Sequence, residues 1–268
     1  MRKEIASTEN TRRIQKALSN LEARLKDAEI MGLGLIYGQP GLGKTMTVER
    51  YCVQAYRQER VLVAWVRAKG IWTESSMLQD ILESLGISAR KYRKDIMFRQ
   101  VIEALMTEPA MILIDEIDSI AESRKLIGLL KDIHDMTSCA IAMIGEERVD
   151  GLLRRYHSFY NRLNRDALVY LTGHTADDVT KVIRKRCEVA VSQEVCDEIH
   201  RTVGKKSMRS VIDRIREIEA FAATNQIKQF GMGDYQAMLV NKKAGSNTGQ
   251  QPVQIQGERP TMLGVVNG

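Results

Sequence analysis

Gly38-Gln39-Pro40-Gly41-Leu42-Gly43-Lys44-Thr45 is the stretch that decides how this chain folds. It fits the pattern G-x-x-x-x-G-K-[ST]. Glycines at these positions let the backbone wrap a phosphate with its N–H groups turned inward. Lys44 brings a positive charge to the outer phosphates, and the Thr45 hydroxyl is a ligand for Mg²⁺. An apolar run, 33–37, precedes the loop and reads as a buried strand. Residues 45–58 follow it with helical periodicity, so the positive end of a helix dipole faces the same point. A glycine-rich turn between a buried strand and a helix is the context in which this pattern binds phosphate.

About seventy residues on, a second apolar run ends in two acids: Met111-Ile112-Leu113-Ile114-Asp115-Glu116. An aspartate at the end of a buried strand can hold the Mg²⁺ shell. Glu116 leaves the chain on the opposite side, where it can orient an attacking water or take its proton. Mg²⁺ is therefore expected at Thr45 and Asp115, with Glu116 as the base.

Working outward, strand-like runs at 61–66, 140–144 and 168–171 alternate with helical segments at 11–29, 76–85, 95–107 and 126–136. Ile14, Leu18, Leu21 and Leu25 recur at helical spacing in the first of these. Strand alternating with helix predicts an α/β fold, a parallel sheet flanked by helices. After Gly173 only helical periodicity remains, with Thr175, Ser192 and Ser207 where helix N-caps belong. Residues 241–268 hold two of the four prolines and five glycines and show little periodicity, as expected of a disordered tail. Three parts are expected: an α/β domain over 1–173, an all-helical lid over 174–240, and the tail.

The 268 residues carry 40 Lys and Arg against 34 Asp and Glu, a net charge of +6. That excess favours an acidic partner only where it is clustered. The apolar content excludes a wholly disordered chain, and no stretch approaches the length of a membrane span. The N-terminus lacks an apolar leader, and the four cysteines form no C-x-x-C pair. A cytoplasmic protein with free thiols and no zinc site is expected.

The loop GQPGLGKT and the strand MILIDE resemble the Walker A and Walker B elements of the AAA+ ATPases, and a helical lid is part of that resemblance. It implies ATP as the nucleotide and an ATPase activity. It also implies an arginine that reaches a neighbouring subunit's nucleotide. Arg162, in Phe159-Tyr160-Asn161-Arg162-Leu163, resembles this finger, with Arg165 as its rival. Arg209, in Gly204-Lys205-Lys206-Ser207-Met208-Arg209, resembles the lid arginine called sensor 2. One element departs from the pattern. The strand at 140–144 should end at a polar residue that orients the lytic water, and it ends at Gly145-Glu146, so slow hydrolysis is expected.

Thr8-Glu9-Asn10-Thr11 ahead of the first helix, and Ile144-Gly145-Glu146-Glu147-Arg148-Val149 followed by the Tyr160–Arg162 segment, are similar to the phage Mu B-type and Tn7 C-type transposition ATPases. That resemblance implies a homo-oligomer, ring or filament, that assembles with ATP on double-stranded DNA, selects target DNA and activates a transposase. It puts Thr8, Glu9 and Asn10 near the adenine. Arg67 and Lys69, after the second strand, and the cluster Arg90, Lys91, Arg93 and Lys94 are the residues expected to track DNA phosphates. A helicase-loader or secretion-type AAA+ ATPase that remodels a protein partner is the alternative.

Overall fold

The computed structural model describes residues 1–2, 6–25, 32–58, 61–89 and 93–247. Five strands, β1 (Leu33–Gly38), β2 (Leu62–Arg67), β3 (Ala110–Asp115), β4 (Ala140–Gly145) and β5 (Leu163–Leu171), form one parallel sheet in the order β2-β3-β4-β1-β5. The inner strands β3 and β4 are buried along their whole length, which is why they read as unbroken apolar runs. Alternate residues serve the two faces. Ile36, Met111, Leu113 and Ile144 pack under α1 (Glu9–Arg24) and α2 (Lys44–Arg57). Leu35, Ile112, Ile114 and Met143 pack under α3 (Glu74–Ser84), α4 (Lys94–Met106) and α5 (Arg124–Thr137).

Register brings the functional strand ends together. Tyr37 lies opposite Gly145, and Ile114 lies opposite Met143. The carboxyl ends of β1, β3 and β4 therefore open side by side, at the place where open α/β sheets bind ligands.

The edge strand β5 starts five residues before the apolar run that reveals it. Its first half, Asn164-Arg165-Asp166, is polar, and its register against β1 shifts between Leu33↔Leu163 and Leu35↔Leu168. The Asn164 side chain accepts the Asp166 N–H inside that bulge. Two short helices, α6 (Arg148–Leu153) and α7 (His157–Tyr160), link β4 to β5. The expected end of the first helix, at residue 29, lies outside the described residues.

Beyond Gly173, α8 (Ala176–Arg186), α9 (Gln193–Ile199), α10 (Met208–Asn225) and α11 (Met232–Asn247) enclose a separate core around Val179, Ile183, Ile199, Val211, Ile215 and Phe230. Thr175, Ser192 and Ser207 each accept the N–H three residues on, capping α8, α9 and α10. The lid is not all helical, because Ala190–Val191 and Gln229–Phe230 pair as the short parallel strands β6 and β7; two-residue strands leave no periodicity to read. The last helix also continues past residue 240 to Asn247, into the stretch whose composition suggests a tail. Among the described residues no helix is long and apolar enough to cross a membrane.

Candidate active site

The phosphate loop closes on itself at the end of β1. Gly41 and Gly43 sit at φ +82° and +85°, in the left-handed region where a side chain is strained. Gly41 is also confined from outside, since a Cβ there would meet Ser207 Oγ of the lid at 2.6 Å. The Gly41 carbonyl accepts the Met208 N–H at 2.9 Å, so the lid docks on the loop itself. The Lys44 ammonium turns back and donates to the carbonyls of Gly38 and Gln39, at 2.6 and 2.8 Å. Burial pushes its pKa below the ordinary lysine value; Glu146, Asp115 and Asp118 oppose that shift. These carbonyls hold the lysine but carry no net charge, so its positive charge is available to an anionic ligand.

Asp115, at the end of β3, is buried, and its Oδ1 accepts the Glu116 N–H at 2.9 Å. Its Oδ2 is buried without a hydrogen-bond partner. An orphaned carboxylate oxygen is costly unless a cation or donor is supplied. With the Thr45 hydroxyl lining the same cleft, it fits Mg²⁺, which takes one or two protein oxygens and leaves its other positions to water and phosphate. Among the described residues no three His, Cys, Asp or Glu side chains could hold an ion by themselves.

Glu116 follows in a left-handed backbone conformation, φ +56° and ψ +38°. This is unusual for a non-glycine residue and costs on the order of 1 kcal/mol or more. The turn aims its half-exposed carboxylate into the cleft. There it meets Arg67 from the end of β2, whose guanidinium lies 3.7 Å from Glu116 Oε1 and 3.9 Å from Asp115 Oδ2. Arg67 thus sits over the site's carboxylates.

The cleft holds about 620 Å³. Its floor is the phosphate loop and the ends of β3 and β4. The lid supplies Arg186 and Arg209, and Ala6, Val182, Met208 and Ile212 give it an apolar wall. Arg209 is exposed and forms no ion pair among the described residues. Arg186 Nε is buried without a partner. Thr8 lines the cleft and caps α1. Glu9 and Asn10 are turned to other tasks. The Glu9 N–H donates to Asp178 and its side chain pairs with Arg12, while the Asn10 amide donates to the Thr172 carbonyl. They tie α1 to the lid junction and do not line the cleft.

Away from the cleft, Arg162 makes a bidentate pair with Asp135 of α5, at 2.8 and 3.0 Å, and also donates to the Ser158 carbonyl. Lys131 shares that aspartate. Arg165 is exposed and has no ion pair among the described residues. Of the residues expected to track DNA, three besides Arg67 are described, and each has a carboxylate partner. Lys69 and the Trp72 indole share Asp80, both at 2.7 Å; Arg93 meets Asp95 at 3.2 Å and Lys94 meets Glu74 at 3.0 Å. Arg90 and Lys91 lie outside the described residues.

His174 and Asp118 line the cleft without belonging to a motif. His174, the first residue after the Gly173 junction, is buried, and neither ring nitrogen makes a close hydrogen bond. Asp118 lies three residues after Asp115; the only trace it leaves in the sequence is the glycine it faces, Gly145.

A parallel five-stranded sheet, a phosphate loop at the end of β1 and two acids at the end of β3, one strand beyond β4, form the α/β layout of the P-loop ATPases. Residues 30–153 match the family model described as "AAA domain". The chain is similar in fold to the ORC1 protein of Aeropyrum pernix, solved in complex with DNA, at 15% identity and a TM-score of 0.62; 88% of this chain and 66% of that one are covered. It is similar to Cdc6p of Pyrobaculum aerophilum, at 17% identity and a TM-score of 0.63, covering 90% and 68%. Domain III of the replication initiation protein DnaA of Thermotoga maritima matches at 15% identity and a TM-score of 0.58, covering 89% and 94%. The chain thus spans about two thirds of the ORC1 and Cdc6p chains. No curated protein matches its sequence significantly.

Proposed function

We propose that the protein binds and slowly hydrolyses ATP as a switch for assembly on double-stranded DNA, and that the assembled form selects target DNA and activates a transposase. The observation that carries the nucleotide reading is the convergence of Lys44, Thr45, Asp115 and Glu116 with the lid's Arg209 on one cleft. The phosphate loop and Lys44 hold the phosphates, and the apolar wall beside Thr8 takes the base. Mg²⁺ at Thr45 and Asp115 supplies charge neutralisation on the outer phosphates. A water attacks the γ-phosphorus, the β–γ bridging P–O bond breaks, and the water's proton passes to Glu116; ADP and phosphate leave. Arg209 reads the presence of the outer phosphates and sets the lid.

Oligomerisation follows if one subunit's arginine reaches the next subunit's nucleotide. Of the two candidates, Arg162 would first have to leave Asp135, whereas Arg165 has no such commitment. DNA association is supported by the fold shared with the ORC1 protein, which was solved in complex with DNA. The transposase rests on the similarity of residues 8–11 and 144–149 to the transposition ATPases. Electron microscopy of the protein with ATP, Mg²⁺ and random duplex DNA tests the reading. Nucleotide-dependent rings or filaments on DNA are expected, and binding to duplex that ignores both ATP and salt would overturn it.

A further inference from the structure

The end of β4 lacks a side chain. Gly145 stands where the strand opens into the cleft, level with Tyr37 at the end of β1. A Cβ built on Gly145 would lie 2.8 Å from Asp118 Oδ1, 3.0 Å from Ile117 Cγ2 and 3.1 Å from Val149 Cγ1. The first distance is shorter than real Cβ atoms tolerate, so the space is already taken by the Asp118 carboxylate. That carboxylate comes from the short 3₁₀ turn Ile117–Ser119, directly after the β3 acids.

We propose that Asp118 is the water-orienting acceptor of this site, delivered from the β3 turn across the gap that Gly145 leaves. Three observations bear on it. Its side chain is only 11% exposed, yet it lines the cleft with Asp115, Glu116 and Lys44. Its Oδ1 accepts the Glu146 N–H at 2.9 Å, which fixes the carboxylate and the start of the β4–α6 connection together. Its Oδ2 is approached only distantly, by Arg148 at 3.9 Å. A carboxylate has about four acceptor positions, so after the Glu146 bond this group still has capacity to hold a water. Glu116 is half-exposed and engaged at distance by Arg67, so it takes the proton but does not fix the water alone. Two acceptors from one turn give the water the fixed orientation that in-line attack needs.

The assignment rests on hydrolysis at this cleft and adds one residue to it. The test measures phosphate release and the affinity for N-methylanthraniloyl-ATP with Mg²⁺, in the full chain with duplex DNA present, for wild type, Asp118→Ala and Asp118→Asn. Asp118→Ala is expected to lose about tenfold or more in turnover with affinity held within about threefold. Asp118→Asn, which keeps an oxygen acceptor, should recover much of that loss. If Asp118→Ala does not fold by circular dichroism, Asp118→Ser replaces it under the same criteria. Wild-type turnover in the alanine or serine variant overturns the assignment, and so does a loss of affinity matching the loss of turnover, or an asparagine variant no better than the alanine one. The wild type separates this from the underlying reading. If wild type binds the nucleotide and releases no phosphate, hydrolysis itself fails and the assignment falls with it. If wild type and Asp118→Ala hydrolyse alike, only the assignment fails.

Discussion

The cations of the cleft and the cations of the β2–α4 flank are of the same type and are treated in opposite ways. On the flank, Lys69, Arg93 and Lys94 each meet a carboxylate of their own neighbourhood: Asp80, Asp95 and Glu74. In the cleft, Lys44 is held by neutral carbonyls, and Arg209 has no ion pair among the described residues. A paired surface cation is neutralised locally and contributes little, about 0–1 kcal/mol to stability. An unpaired cation beside backbone N–H groups needs a counter-charge from outside. The contrast teaches where this molecule expects an anion: in the cleft first, and on the flank only if a ligand outcompetes the internal carboxylates.

The largest effect should come from removing the cleft's central cation. Lys44→Ala is expected to weaken nucleotide binding by about a hundredfold or more, since it deletes a charge-assisted contact to phosphate in a partly buried site. Fluorescent-nucleotide titration measures it, and retained affinity would break the comparison at its strongest point. Next comes Glu116→Gln. Affinity should hold while phosphate release falls by about a hundredfold or more, the range for losing a positioned base. Assemblies on DNA should then persist in the presence of ATP, visible by electron microscopy; rapid turnover would reject Glu116 as the base.

A smaller effect separates the two finger candidates. Arg162→Ala removes a bidentate pair and leaves Asp135 to Lys131 alone, so the thermal midpoint should fall by a few degrees, about 1 kcal/mol for a partly buried pair. Arg165→Ala should leave the midpoint unchanged and instead lower turnover in the assembled form. The reverse pattern would return the finger role to Arg162. On the flank, Lys69→Ala and Lys94→Ala should each change nucleotide affinity by less than about threefold. If either contacts DNA, the slope of log affinity against log salt should fall by about one. An unchanged slope in both removes the flank from the DNA face.

How much of this was legible follows the same division. The phosphate loop and the β3 acids are contiguous in sequence, and their chemistry depends on local backbone, so eight and six residues suffice to read them. The sheet was legible because its inner strands are buried on both faces and read as continuous apolar runs. Arg67 was legible as a cation but not as a neighbour of Glu116, because that approach depends on β2 pairing with β3. Arg162 had the right local pattern, yet its pairing with Asp135 spans 27 residues and two elements. The resemblance puts Glu9 and Asn10 near the base, but Glu9 bonds Asp178 of the lid and Asn10 bonds Thr172 just after β5, contacts that depend on how α1 packs in three dimensions. Gly145 was legible as a missing side chain, while the group that fills its place was visible only in three dimensions.

A pH effect concerns His174, where cleft and lid meet. Burial lowers its pKa below the ordinary 6.5; the Gly41 backbone and Asp178 oppose the shift, and His200 adds to it. The folded protein therefore keeps the ring neutral in a range where the unfolded chain has begun to protonate it. As pH falls through 6.5 toward the depressed folded value, the unfolded state binds the additional proton and stability is lost, by at most about 1.4 kcal/mol per pH unit. Above 6.5 the contribution is fully present and flat. The carboxylates held low by their partners, Asp135, Glu188 and Glu198, lose their contributions only at lower pH, below the ordinary carboxylate range, so they leave this window clear. Urea denaturation between pH 5.5 and 7.5 should show the slope in wild type and lose it in His174→Gln, whose amide does not titrate. Because the Met208 N–H bonds the Gly41 carbonyl, and the His174 N–H bonds the lid's Lys205 carbonyl at 3.1 Å, acid loosening should start at this junction. Bound nucleotide, which grips the phosphate loop from the other side, should shift the whole curve upward without removing the slope. A slope that survives His174→Gln would place the titrating group elsewhere in the lid.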